Sequence, residues 1–127
     1  MSKINSACKE VIEKSEWLAI ATAGPDGPHL AACWSQSART LGCDDDTIRL
    51  PAWSYFRTEE NLRQNPRIEL LFASRQVARP QGQGQGCRIV GKGRLETSGP
   101  EAEAVKARFP GTRGALVVTI ESAETQL

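Results

Sequence analysis

Three runs near the start of the chain decide its architecture: WLAIAT at Trp17 to Thr22, GPDGP at Gly24 to Pro28, and HLAACWSQ at His29 to Gln36. The first is apolar but too short for a helix of its own, which makes it a strand. The second is a turn: glycine tolerates positive φ, proline presets φ, and aspartate bonds its own backbone. The third resumes as a strand. Two strands joined by such a turn form a β-hairpin.

Similar short segments lie further along the chain. A second turn falls at Gly42 to Asp46, and TIRL at Thr47 to Leu50 alternates with period two before stopping at Pro51. RIELLFA at Arg67 to Ala73, Arg88 to Leu95, and ALVVTI at Ala115 to Ile120 are further strands, the last β-branched and apolar. Ile4, Cys8, Val11 and Ile12 recur at helical spacing, with Lys9, Glu10, Glu13 and Lys14 opposite them; Asn5 or Ser6 caps this first helix, which ends near Ser15. A short helix opens at Arg57 with Thr58 as its cap and closes at Asn65-Pro66, and another spans Glu101 to Phe109 behind Pro100. Gln76 to Cys87, containing QGQGQG, is expected to be a flexible loop, because neither GxGxxG nor a P-loop spacing is present and a strand follows. SAETQL is expected to be a polar tail ending at Leu127. The expected class is mainly β with α: a split or nearly closed antiparallel barrel of about six strands with short helices, one unit over residues 1–127.

Composition narrows the function. At 127 residues, 39% hydrophobic and 24% charged, the chain suits one soluble globular core. Its net charge of +1 is not segregated into blocks, which argues against nucleic acid or an anionic membrane as a partner. Cys8, Cys33, Cys43 and Cys87 form no CxxC, and His29, the one histidine, has no ligand spacing with them, so no metal site is expected. Scattered thiols without a signal peptide suggest a cytoplasmic protein. The triple aspartate at Asp44 to Asp46 lacks the spaced ligands and distant Glu of a calcium loop and is expected to be a solvated turn. In its tight turn, His29 is expected to make a local hydrogen bond rather than transfer a proton.

In order and spacing, AIATAGPDGPHL with Trp34 behind it, RTEEN from Arg57, Ser74-Arg75, the glycines to Gly86, SGPEAEA, ALVVTI and SAETQL resemble one family over almost the whole chain. It is the FMN-binding split barrels, which include pyridoxamine-phosphate oxidases and flavin reductases; the likeness is to a small dimeric branch of it. The resemblance implies flavin mononucleotide (FMN), held non-covalently at the interface of a homodimer.

FMN presents a dianionic phosphate, a polar ribityl chain and a flat isoalloxazine. Arg57 and Thr58 combine a guanidinium, a hydroxyl and the N–H groups of a helix start, which together suit the phosphate. By resemblance, Cys33, Trp34 and Ser35 lie along the ring, with Cys33 a small filler rather than a redox group, Pro51 and Ala52 pass near the ring, Ser74 and Gln76 contact phosphate or ribityl, and Leu127 reaches the flavin of the other subunit. Ser37 and the Pro110-Gly111-Thr112 stretch stand where that branch carries aromatics beside the ring, and Trp53 or Tyr55 could take their place. No acid–base constellation is present, so no catalytic residue is assigned, and electron transfer with an unknown redox partner is the leading expectation. The alternatives are an FMN-dependent oxidase or reductase using Arg75, Arg79 or Arg88 for an anionic substrate, and a barrel that binds heme or a protein instead of flavin.

Overall fold

Local sequence chemistry sets the first helix. The Asn5 side chain accepts a 2.8 Å hydrogen bond from the Cys8 N–H, capping α1 (Ser6–Lys14), which buries Cys8, Val11 and Ile12. The computed structural model describes residues 3–44 and 46–127. It continues with β1 (Trp17–Gly24), β2 (Gly27–Trp34), α2 (Ser35–Leu41), β3 (Thr47–Ala52), α3 (Phe56–Gln64), β4 (Arg67–Arg79), β5 (Gly82–Glu96), α4 (Pro100–Arg108) and β6 (Gly114–Thr125).

The six strands form one antiparallel sheet in the order β2-β1-β4-β5-β6-β3. β2 and β3 are its two edges, so the curled sheet stays open between them: the expected split barrel. Alternation sends Leu18 and Ile20 of β1, Ile68, Leu70 and Phe72 of β4, Ile89 of β5, Leu116 and Ile120 of β6 and Ile48 and Leu50 of β3 into one core, which α1 covers. Curling needs close backbone approach. At the register shift between Val90 and Gly91, any side chain on Gly91 would collide with the Thr119 carbonyl of β6.

The structure corrects four expectations. Ser35 and Gln36 leave the sheet and open α2, whose sequence SQSARTL has no apolar period to announce it. That helix owes its existence to tertiary contacts: Ala38 is buried, and Arg39 Nη1 donates to the Ile12 and Ser15 carbonyls at the end of α1, at 2.8 and 2.9 Å. Most of Gln76 to Cys87 is not a loop, because β4 and β5 extend as a long hairpin around Pro80-Gln81. The polar tail is largely strand, with Thr125 paired to Cys87. Thr58 is not a cap, because α3 starts at Phe56 and Tyr55 holds the N-cap position. Of the triple aspartate, Asp45 lies outside the described residues, and Asp44 pairs with Arg49 at 2.8 Å. Among the described residues no helix is long and apolar enough to cross a membrane, and no cluster of His, Cys, Asp and Glu could hold a metal ion.

Candidate functional site

Where β2 ends and the β3–α3 connection begins, Trp17, Ala32, Cys33, Trp34, Ser37, Pro51, Trp53, Ser54 and Tyr55 line an open cavity of about 610 Å³. Trp17 and Trp34 are register partners across β1 and β2, which places both indoles on the outer face of the sheet. Alternation explains this: Leu18, Ile20 and Thr22 point inward, so Trp17 points out. The far wall comes from the connection Trp53-Ser54-Tyr55, immediately before α3. The lining is apolar and aromatic, the kind of surface a flat heterocycle requires.

Tyr55 turns the chain into α3. Its φ of 56° is left-handed, an uncommon conformation for a side chain with a Cβ. Its hydroxyl donates to the Ala32 carbonyl at 2.7 Å, tying the turn to β2 and holding the strained residue in place. Burial, and then the neighbouring Cys33 thiol, push its hydroxyl well above the ordinary tyrosine range. Burial likewise raises the Cys33 thiol, against the opposing hydrogen bonds to Tyr55 and the Trp34 carbonyl. Both titratable groups of the lining are therefore neutral at physiological pH.

The start of α3 opens beside this cavity with its N–H groups unpaired by the helix, a natural anion site. Thr58, in the first turn, is 1% exposed, and its Oγ1 has no hydrogen-bond partner. A buried hydroxyl without a partner is costly, which singles Thr58 out among the residues of this helix start. Arg57 beside it is solvent-exposed. The donor set of hydroxyl, guanidinium and helix N–H groups fits a phosphate, and the aromatic cavity next to it fits an isoalloxazine. FMN carries both.

Arg113, in the connection from α4 to β6, braces this corner. Its backbone N–H donates to the Ala52 carbonyl at 3.0 Å, Nη1 to Glu59 at 3.1 Å, and Nη2 to the Ser54 carbonyl. Its guanidinium lies 4.2 Å from the centre of the Phe56 ring, a cation–π contact.

Of the residues expected from sequence, Cys33, Trp34 and Pro51 line the cavity, and Thr58 and Arg57 stand at the helix start beside it. Ala52 is fully buried beneath the lining. Ser35 is buried and engaged at 2.9 Å with Ser15. Ser74, Gln76 and Leu127 lie outside the cavity of their own chain: Ser74 Oγ accepts from the Gln76 N–H, and Leu127 is fixed by the Gln85 side chain through both its N–H and its carbonyl, at 2.7 and 2.9 Å. Trp17, Ala32, Ser54 and Arg113 were not anticipated. Period-two alternation from Leu18 would have pointed to Trp17. Arg113 had no local signal, since its partners are some 50 residues or more away in sequence.

Comparison with known proteins bears on the family and the fold. The family model for pyridoxamine 5'-phosphate oxidase matches residues 4–127. The FMN-binding protein of Nitratidesulfovibrio vulgaris (strain Miyazaki F) is 41% identical over 118 residues, covering 93% of this chain and 94% of that one. Among solved structures, HupZ of Group A Streptococcus superposes with a TM-score of 0.73 at 22% identity, over 96% of this chain and 93% of HupZ. An FMN-binding protein from Syntrophomonas wolfei superposes with a TM-score of 0.62 at 14% identity, over 94% of this chain and 88% of that one. At these identities the two structures speak for the fold alone. On the family match and the 41% relative together, this chain belongs to the pyridoxamine 5'-phosphate oxidase family of split barrels.

Proposed function

We propose that this protein is an FMN-binding flavoprotein that carries electrons between redox partners and works as a homodimer with its flavins at the subunit interface. FMN is the ligand named for the 41% relative, and one observation in the molecule carries the reading: the buried, unpartnered Thr58 hydroxyl at a helix start that opens beside an aromatic cavity. Thr58 Oγ1, the first N–H groups of α3 and Arg57 hold the phosphate. Cys33, Trp34 and Pro51 border the ring, and Ala52 and Ser35 support that border from beneath. FMN supplies the redox chemistry, accepting and releasing electrons singly or in pairs. The protein orients it, excludes water from one side and keeps neutral groups around it.

The homodimer accounts for two further features. The outer face of β1, β2 and β4 carries Trp17, Leu30, Trp34 and Leu71 exposed, with Ala19, Ala21 and Ala32 between them. Glu69, the register partner of Ala21, and Arg88, that of Leu71, are ion-paired beside this apolar patch, and an apolar patch with a polar rim suits an interaction site. A second copy seated on it would bring Leu127 to the neighbouring flavin, with Ser74 and Gln76 at the same end of the barrel. With all four cysteines unpaired, the cytoplasm is the fitting compartment.

The lining's titratable groups, Cys33 and Tyr55, both stay neutral, which favours electron or hydride transfer over acid–base chemistry, and electron carriage is the simpler of those two roles. The test loads the protein with FMN, reduces it anaerobically, and follows its oxidation by ferricyanide and by cytochrome c. Steady-state consumption of NADH and NADPH is followed in parallel. Rapid one-electron oxidation without nicotinamide turnover supports the carrier. Sustained turnover with a small acceptor overturns it in favour of a flavin-dependent reductase.

A further inference from the structure

Two small residues leave room at the cavity: Ser37 lies in its lining, and Gly111, in the α4–β6 connection, lies against the lining residue Trp53. Gly111 has φ +92°, a left-handed conformation that side chains rarely adopt, so that connection offers the cavity no side chain at this point. The space is not empty. The edge of the Trp53 indole reaches over it, 3.7 Å from where a Gly111 side chain would begin.

Trp53 differs from the other aromatics of the cavity in how it is held. Its backbone is pinned on both sides, because Arg113 donates to the carbonyls of Ala52 and of Ser54. Its side chain, by contrast, is 57% exposed. Tyr55 is half-buried and committed by its hydroxyl to Ala32. Trp17 and Trp34 belong to the outer sheet face, where they are register partners. Trp53 is thus a large aromatic on a fixed mount, at the mouth of the cavity, next to the helix start that receives the phosphate. Indole also offers a large flat aromatic face for stacking on an electron-poor ring.

We infer that Trp53 is the residue that covers the isoalloxazine in this protein, setting how tightly the ring end is held and how far it is shielded from solvent. The inference rests on the FMN reading above and adds to it the side chain that closes the site.

Ring-end and phosphate-end contacts are separable, because riboflavin is FMN without the phosphate. Trp53→Ala weakens FMN and riboflavin by the same factor, roughly 10- to 100-fold, the scale of one lost stacking contact. Trp53→Phe keeps an aromatic face and so retains most of the affinity. It also removes a quencher: in contact, an indole passes one electron to the excited flavin and takes it back, suppressing fluorescence with no net chemistry. Fluorescence of bound flavin is therefore expected to rise in Trp53→Phe. Trp53 is exposed, so these variants fold, which circular dichroism checks. FMN uptake by the unmodified protein with unchanged quenching and affinity in both Trp53 variants overturns this inference alone. Failure of the unmodified protein to take up either flavin overturns the FMN reading and this inference with it.

Discussion

At the scale of single residues, burial and partnership decide what each group can do. Thr58 is buried without a partner and Arg57 is exposed beside it. A hydroxyl that donates to a dianionic phosphate contributes about 1.5–3 kcal/mol. Thr58→Val keeps the shape and removes the donor, so FMN affinity is expected to fall roughly 10- to 100-fold while riboflavin affinity holds, read by fluorescence titration of each. Glu69 illustrates the electrostatic side. Arg88, at 2.8 Å, and then Arg67 hold its carboxyl below the usual glutamate range, against the opposing effect of burial. A carboxyl with a depressed folded-state pKa contributes stability that is complete above its unfolded value, near 4.3, and is lost as the pH falls through the folded value. Urea midpoints measured at pH 7 and pH 3 should therefore converge more in Glu69→Gln than in the unmodified protein. Arg57 and Thr58 stand out as a candidate phosphate site in sequence because both belong to one contiguous segment. Ser35, expected along the ring by resemblance alone, is engaged with Ser15, a contact 20 residues away.

At the scale of elements, legibility follows the range of the forces involved. α1 and α4 were readable because capping, apolar spacing and Pro100 at the first turn are local signals. β1, β2 and the turn between them were readable for the same reason. α2 was hidden because nothing in SQSARTL repeats, and its support comes from Arg39 reaching the end of α1. The glycine-rich run Gln76 to Cys87 reads as a loop between paired strands because glycine disfavours strands, yet β4 and β5 extend through most of it. Pairing with neighbours on both sides overrides that preference, since β5 is flanked by β4 and β6. The same contrast appears between two of its glycines. Gly91→Ala drives a methyl group into the Thr119 carbonyl at the bulge and is expected to cost at least about 1–3 kcal/mol. Gly82→Ala meets only Arg79 side-chain atoms at ordinary contact and is expected to stay within about 0.5 kcal/mol. Urea denaturation of both variants checks the pair.

At the scale of the whole molecule, the curled sheet leaves Trp17, Leu30, Trp34 and Leu71 exposed on its outer face, and the proposed homodimer would cover them. Leu71 sits on that face, between Ala19 of β1 and Arg88 of β5. Leu71→Glu introduces a charge there without touching the core, and sedimentation is expected to show monomers that keep their circular dichroism and bind FMN more weakly. The expectation of a homodimer rests on resemblance along the whole chain rather than on any local pattern, since an exposed Leu or Trp in one strand does not say what covers it. All of these expectations depend on one claim, that the cavity beside α3 is an FMN site. Its most direct measurement is the visible absorption spectrum of the purified, desalted protein before and after addition of FMN. The account predicts a flavin spectrum with one FMN retained per chain through desalting and its fluorescence quenched. A protein that carries no flavin and takes up none when FMN is supplied would contradict it.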